Sequence, residues 1–131
     1  HGTHVAGTVA ASSDNGEGVA GVAWGARLMP LRALGADGGS SFDVIQAVRF
    51  AAGLTNDSGT LPAQPADIIN LSLGSSFFSA SEQALYNQVR TLGIIVVASA
   101  GNESSSSASF PSGYQAVLSV SATDINNNLA P

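Results

Sequence analysis

The sequence predicts an α/β fold in which a mostly parallel sheet carries helices on both faces. Segments with strand-like and helix-like apolar spacing alternate along the chain, as expected when helical crossovers link parallel strands. Residues 94–97 are an unbroken β-branched run, which is typical of a strand covered on both faces. Ahead of that run, Ser79 and Glu82 fit a capping box and predict where a helix begins.

Three helices are predicted from apolar residues three or four positions apart. The first, residues 3–11, is alanine-rich and has His1 at its start. The second covers residues 42–52 and is followed by a glycine. The third runs from Ser79 to Gly93. Each pattern leaves one apolar face to pack against the sheet.

The four predicted strands are residues 27–33, 67–73, 94–97 and 117–122. Pro30 suggests an edge or irregular position for the first of them, because proline cannot donate to a strand ladder. Ligands bind outside the carboxyl ends of parallel strands. We therefore expect the functional site among the residues that follow Leu73 and Val97.

Composition excludes several classes of function. A chain of 131 residues with 44% hydrophobic and 10% charged residues is expected to fold as one domain. The formal charge of −5 and the absence of lysine argue against nucleic acid as a partner. Without cysteine there is no disulfide or thiol chemistry, and apolar runs such as residues 92–98 are too short to span a bilayer. We expect a monomer with no membrane partner.

Asn102 is a candidate for stabilising negative charge. It follows the strand at 94–97 through small residues that end at Gly101, which leaves open space around its amide. A neutral, fixed hydrogen-bond donor at this edge is what an oxyanion hole needs. The alternative is an Asx turn that merely ends the strand.

His1 and His4 are three positions apart, near enough on a helix to share a metal ion. The nearest carboxylates, Asp14 and Glu17, lie in the following loop, and no H-E-x-x-H pattern is present. We therefore interpret His4 as a packed core histidine. For His1 the structural alternative is an ordinary helix-capping residue.

Residues 16–21 match the G-x-G-x-x-G pattern of dinucleotide-binding proteins. That pattern needs a strand before it and a helix after it. Here a predicted helix precedes it and a predicted strand follows, so we reject a nucleotide site.

Taken together, these residues resemble the subtilisin-like serine peptidases, the subtilases. The matching blocks are H-G-T-H-V-A-G-T-V-A-A, G-V-A-G-V-A, A-L-G-A-D-G, I-I-N-L-S-L-G, V-V-A-S-A-G-N and F-P-S. Each block has a counterpart in the family, in the same order, and together they span nearly the whole chain. The resemblance implies a three-layer α/β/α, subtilisin-like catalytic domain, of which residues 1–131 are a central part incomplete at both ends.

The resemblance also implies roles for individual residues. His1 matches the general base of a Ser-His-Asp triad, and Asn102 matches the side-chain oxyanion donor. Two stretches would sandwich an extended peptide, and small residues would leave room for a large apolar side chain in the primary specificity pocket. These substrate-binding positions are Gly38, Gly39, Ser40, Ser72, Leu73, Gly74, Ala100 and Gly101.

Two family features have no counterpart in these residues. The triad aspartate should precede His1, and the serine should follow in a G-T-S-M-A-like stretch. Ser99 and the serines at 104–107 lie outside any such motif. We therefore expect residues 1–131 alone to be inactive.

The loop at residues 12–18 lies where many subtilases bind a stabilising calcium ion. Asp14, Asn15 and Glu17 supply oxygen donors of the right hardness, and a polar surface turn is the alternative. Catalysis itself should need no cofactor.

The sequence thus predicts part of a secreted serine endopeptidase that cuts polypeptides through an acyl-enzyme. One alternative is a non-catalytic subtilase-like domain that binds peptide. Another is a nucleotide-binding α/β module, which would need a phosphate loop after a strand.

Overall fold

The computed structural model describes residues 1–103 and 106–129, which divide into two units, His1–Arg32 and Ala33–Pro131. The first unit holds one helix, α1 (Gly2–Ala10). The described part of the second unit holds two helices and three strands, so it carries the sheet.

In the first unit, the chain after α1 turns back along the helix. The Ala23 N–H donates to the Val9 carbonyl at 2.8 Å. This close return requires Gly21, because a Cβ there would lie 2.6 Å from the Ala10 Cα. The last glycine of the G-x-G-x-x-G match therefore serves helix packing. A helix precedes the match, as predicted, so the dinucleotide pattern is a chance one.

The second unit consists, in chain order, of α2 (Ser41–Ala51), β1 (Ile68–Leu71), α3 (Ala80–Thr91), β2 (Ile95–Ser99) and β3 (Val117–Val120). The strands form one parallel sheet in the order β1-β2-β3. Its register pairs Ile69 with Val96 and Val97 with Leu118. The predicted alternation of helices and parallel strands is confirmed over this part of the chain.

Serine side chains define where both helices of this unit begin. The Ser40 Oγ accepts a hydrogen bond from the Asp43 N–H at 3.2 Å, and the Ser79 Oγ accepts one from the Glu82 N–H at 3.5 Å. The capping box is confirmed in this direction only. The second bond of a capping box would run from the Ser79 N–H to the Glu82 side chain. Here the Ser79 N–H donates to the Tyr114 hydroxyl at 2.8 Å instead.

The core lies between the two helices and one face of the sheet. The buried side chains of β1 and β2 are Ile69, Leu71, Val96 and Ala98, which alternate along their strands and so point to the same face. They form one cluster with the buried faces of α2 and α3, where Val89 is fully buried. Each buried valine, leucine or isoleucine of this cluster stabilises the fold by about 1.5–3 kcal/mol.

On the opposite face of the sheet, the side chains at three described positions of the second unit are partly exposed. Ile68, Ile95 and Leu118 are 60%, 44% and 50% exposed. Our expectation that residues 94–97 are covered on both faces is therefore wrong at β2. The reason is geometric, since α2 and α3 both pack on the face that carries Val96.

The prediction of a strand at residues 27–33 is also wrong. This segment forms no strand, and Leu28 and Leu31 are 48% and 38% exposed. A strand needs a neighbour with which to exchange hydrogen bonds, and no described strand pairs with this segment. Pro30, which lacks an N–H, weakens any such pairing further.

Candidate active site

Two strands of the sheet end at one edge, and the residues after them stay together there. β1 ends at Leu71 and β2 ends at Ser99. Because these strands are parallel neighbours, residues 72–74 and 100–102 leave the sheet at the same edge. The Ser99 hydroxyl donates to the Leu73 carbonyl at 3.4 Å, which links the two stretches directly.

A short antiparallel bridge fixes the chain just beyond the first stretch. The Ser75 N–H donates to the Phe110 carbonyl at 2.7 Å, and the Phe110 N–H donates to the Ser75 carbonyl at 2.8 Å. Gly74 precedes this bridge, and a Cβ there would lie 2.8 Å from the Ser109 Oγ. The main chain from Leu73 to Ser75 is thus held at both ends.

Several main-chain groups of the predicted substrate stretches are unpaired among the described residues. They are the N–H of Leu73 and both the N–H and C=O of Gly74 and of Gly39. Unpaired main-chain groups in a row are what an extended peptide pairs with when it adds as a strand. The two stretches have the property that peptide binding requires.

The stretch from Gly38 to Ser40 is shaped by glycine. Gly38 has a φ of +99°, which favours glycine, and its carbonyl accepts the Gly35 N–H at 2.7 Å. A Cβ at Gly39 would lie 2.7 Å from the Leu34 Cδ2. Ser40, the third residue of the stretch, is the N-cap of α2, so its hydroxyl has a structural role.

Asn102 lies at the carboxyl end of β2, directly after a glycine that turns the chain. Gly101 has a φ of +102°, and Ala100 is still tied to the sheet because its N–H donates to the Val120 carbonyl at 2.9 Å. Asn102 is exposed, and its side chain makes no hydrogen bond with another described residue. Its amide is therefore available as a donor. The alternative Asx turn would involve residues 104 and 105, which lie outside the described residues.

Glu103 belongs to this edge, and sequence reasoning missed it. Its Oε2 accepts the Asn102 N–H at 2.9 Å, and a Cβ added at Gly101 would collide with the same carboxylate. A negative charge thus lies beside Ala100 and Gly101, where the sequence suggested a purely apolar pocket. The signal available was a carboxylate immediately after the candidate oxyanion donor.

His1 lies in the first unit, at the N-cap position of α1, and is exposed. Its side chain makes no capping hydrogen bond, so the helix-capping alternative is not supported.

The interpretation of His4 as a core histidine is wrong. His4 is exposed in the structure, and α1 has no buried residue at all. The returning chain hydrogen-bonds to the carbonyls of Thr8, Val9 and Ala11, at the other end of α1 from His4. A metal shared with His1 gains no support either, because the described residues hold no group of three or more histidine, cysteine or acidic side chains.

The loop that carries Asp14, Asn15 and Glu17 is a tight polar turn. The Asn15 Oδ1 accepts the Glu17 N–H at 3.0 Å, and Asp14 has a φ of +59°. As arranged here, the loop offers two carboxylates and an amide oxygen that already accepts a backbone hydrogen bond. The described residues therefore do not fit a preformed calcium site at this loop.

Comparison with known proteins decides the family. The sequence model described as the Subtilase family matches residues 1–131. The chain belongs to the subtilase family. It is 41% identical over 133 residues to an extracellular basic protease of Dichelobacter nodosus, covering 100% of this chain and 22% of that protein. It is 45% identical over 125 residues to an extracellular protease of Xanthomonas campestris pv. campestris, covering 94% of this chain and 22% of that protein.

The subtilase fold is confirmed by solved structures. A protease of Pseudoalteromonas arctica PAMC 21717 matches with a TM-score of 0.85 and 40% identity, over 91% of this chain and 36% of that one. The predicted α/β, subtilisin-like fold class is therefore right. This subtilase chain spans about a fifth of the length of the two curated relatives named above. Among its described residues, no helix is long and apolar enough to cross a membrane.

Proposed function

We propose that the protein containing this chain is a serine endopeptidase that hydrolyses peptide bonds in extended polypeptides. The observation that carries the proposal is the juxtaposition at one sheet edge of the unpaired main chain of Leu73 and Gly74 with the free amide of Asn102. The first can hold a peptide backbone, and the second can donate to an oxygen of that backbone as it becomes negative. Membership of a family of proteases supplies the reaction class.

In the proposed mechanism His1 is the general base. It takes the proton of a serine hydroxyl as that oxygen attacks the carbonyl carbon, and it gives the proton to the leaving amine as the C–N bond breaks. Water then repeats the attack on the acyl-enzyme with the same base. We place the serine, and the aspartate that orients His1, in parts of the protein outside residues 1–131.

Asn102 is proposed as the side-chain donor to the oxyanion. Its support is its position after Gly101 and its free, exposed amide. The amide is neutral, so it stabilises the negative oxygen of the tetrahedral intermediate without exchanging a proton with it.

The substrate is proposed to pair with two stretches, Gly38-Gly39-Ser40 and Ser72-Leu73-Gly74. Pairing through main-chain groups recognises any extended polypeptide and demands little of its sequence. Ala100 and Gly101 would form a wall of the pocket for the side chain at the cleaved bond, with the Glu103 carboxylate beside it.

The decisive experiment uses the full-length protein and a fluorophosphonate probe, which labels an activated serine. Labelling and casein hydrolysis in the wild type, with loss of both in His1→Ala, would support the proposal. Peptide binding without labelling would instead favour the alternative, a subtilase-like domain that binds peptide without cleaving it. The unpaired main chain of Gly74 is the observation that keeps this second function open, since it requires no triad.

We also propose that the protein is secreted and acts as a monomer, in line with relatives that are named extracellular proteases. Calcium at the loop of Asp14, Asn15 and Glu17 remains a prediction, and the loop would have to rearrange or recruit other ligands to bind it. Calorimetric titration of the full-length protein with CaCl₂, compared with Asp14→Asn, tests it. An unchanged heat of binding in the variant would reject this loop as the site.

A further inference from the structure

We propose that a cavity between α2, α3 and the loop at residues 55–57 binds a free α-amino acid with an apolar side chain. The cavity has a volume of about 350 Å³. Sites for small ligands range over about 300–1,000 Å³, so this one suits a ligand of few atoms. None of its lining residues belongs to the stretches proposed to hold a polypeptide substrate. The inference therefore goes beyond the proposed function and does not depend on it.

The first observation is an apolar lining along one face of α2. Phe42 and Ile45 line the cavity together with Leu85 of α3, which is only 5% exposed. Ile45 packs against the core, and Phe42 is 56% exposed. Arg49 lies on the same face of α2, two turns or about 10 Å beyond Phe42. The cavity thus combines apolar walls with a cationic group at the far end of the helix.

The second observation is that most of the Arg49 guanidinium is unused. Its Nε–H donates to the Thr55 carbonyl, which holds the group beside the loop. The two terminal NH₂ groups make no hydrogen bond or ion pair with another described residue, although the side chain is partly buried. A guanidinium held in one place with two NH₂ groups free has the geometry that binds a carboxylate.

The third observation is a carboxylate of the same cavity that Arg49 does not bind. The Asp57 N–H donates to the Gln46 Oε1 at 3.0 Å, which places Asp57 beside α2 one turn before Arg49. The Asp57 carboxylate makes no hydrogen bond or ion pair with another described residue. One helical turn is about 5.4 Å, so the two opposite charges face a single small ligand. An α-amino acid carries its ammonium and carboxylate on one carbon and fits this pair.

The two charges also select against simpler ligands. A fatty acid or other plain carboxylate could bind Arg49, but it would bring a second negative charge next to Asp57. A plain amine would meet the reverse problem at Arg49. Only a zwitterion pairs both groups, and the apolar lining at Phe42 and Leu85 then favours an apolar side chain over a polar one.

The loop that forms one wall is ordered without a ligand. The Asn56 Nδ2 donates to the Leu54 carbonyl at 3.0 Å and to the Thr60 carbonyl at 2.9 Å. The Asn56 Oδ1 accepts the Ser58 N–H at 3.0 Å. Because these bonds already fix the loop, ligand binding costs little conformational entropy there.

The probe is L-phenylalanine, titrated into the full-length protein by isothermal titration calorimetry beside N-acetyl-L-phenylalanine and L-phenylalaninamide. The acetyl derivative has no ammonium group, and the amide has no carboxylate. We expect the wild type to bind L-phenylalanine about tenfold more tightly than either derivative, since each derivative loses a hydrogen bond between charged groups. Glycine should also bind more weakly, because it has no side chain to contact Phe42 and Leu85.

Variants locate the binding. Asp57→Asn should lower the affinity for L-phenylalanine about tenfold and leave that for the acetyl derivative unchanged. Arg49→Gln should likewise leave the affinity for the amide unchanged. Arg90→Gln, which removes an arginine from the last turn of α3, is the matched control and should keep every wild-type affinity. Because the Asp57 carboxylate makes no hydrogen bond to a described residue, Asp57→Asn tests the site even where Arg49→Gln disturbs the loop.

Three results would each overturn the site: no binding of L-phenylalanine to the wild type, equal affinity for it and its two derivatives, or wild-type affinities in Asp57→Asn. An equal loss of affinity in Arg90→Gln would also overturn it. These results are independent of hydrolysis. A protein that binds L-phenylalanine in the expected pattern without cleaving casein would keep the site and lose only the proposed function.

Discussion

The backbone N–H of Ser79 donates to the hydroxyl of Tyr114 at 2.8 Å, across 35 positions of the sequence. Glu82, in the first turn of α3, is only 8% exposed. Gln83 adds two more links, since its side-chain oxygen accepts the Gln115 N–H and its side-chain nitrogen donates to the Gln115 carbonyl, each at 3.0 Å. The start of α3 is therefore fastened to the segment that leads into β3.

Removing the Tyr114 hydroxyl should destabilise the second unit. Tyr114→Phe leaves the Ser79 N–H without this partner, which typically costs about 1–3 kcal/mol of unfolding free energy. The measurement is urea denaturation of the full-length protein. Tyr86→Phe is the control, because the Tyr86 hydroxyl makes no hydrogen bond to a described residue. Equal losses in the two variants would contradict the importance of the bond.

Stability should fall at alkaline pH. Burial raises the pKa of Tyr86, with the Glu82 charge adding to the effect, and burial likewise raises the pKa of Tyr114. The folded state thus holds these phenol protons more tightly than the unfolded state does. Their stabilising effect is complete below a pH of about 10 and is lost above it, by up to about 1.4 kcal/mol per pH unit for Tyr86.

This alkaline loss is measured by denaturation of the full-length protein between pH 9 and pH 12. Tyr86→Phe should show a shallower decline than the wild type over that range. Parallel declines in the two proteins would mean that Tyr86 does not titrate in this way.

Changing the two residues proposed to act in catalysis should separate chemistry from binding. His1→Ala should abolish nearly all hydrolysis by the full-length protein, because no other group in the proposed mechanism takes the serine proton. Asn102→Ala should leave KM nearly unchanged and lower kcat, and the loss measured for such a donor in a subtilisin, about a hundred- to a thousandfold, sets the scale. An unaltered kcat in either variant would remove that residue from the mechanism.

Gly39→Ala should weaken substrate binding. The new Cβ would lie 2.8 Å from the Ala33 carbonyl and 2.7 Å from the Leu34 side chain, so the backbone at 39 must shift. KM for a peptide substrate should then rise severalfold, because the unpaired main-chain groups of Gly39 move. Gly59→Ala is the matched control, since its φ of +65° makes alanine strained but its loop is not part of the site. A KM that rises equally in both variants would point to general destabilisation.

Local rules predicted much of this fold from the sequence. The spacing of Leu85 and Val89 and the serine at position 79 located α3, and the β-branched run located β2, within one or two residues. Positions that depend on distant partners were not predictable. The prediction of a strand at residues 27–33 was wrong because no described strand pairs with that segment. The prediction of a buried His4 was wrong because the spacing of apolar residues on a helix does not show which other residues cover it.

The candidate site shows the same division. Sequence placed Leu73, Gly74 and Asn102 at the carboxyl edge of the sheet, because the ends of parallel strands always meet there. Sequence reasoning did not predict that the Glu103 carboxylate folds back onto the Asn102 N–H, or that the Phe78 ring packs on Phe110 and Tyr114. Those contacts depend on side-chain directions in loops, which no periodicity encodes.

Under the proposed function, the unpaired main chain at Gly74 has a consequence for the lifetime of the protein. A protease that binds any extended backbone does not distinguish other polypeptides from locally unfolded segments of its own copies. The rate at which a loop such as the one around Gly59 opens would then set how fast the enzyme digests itself. Under the proposed function, folding stability would protect against autolysis, and the bonds between α3 and the segment before β3 would slow that loss.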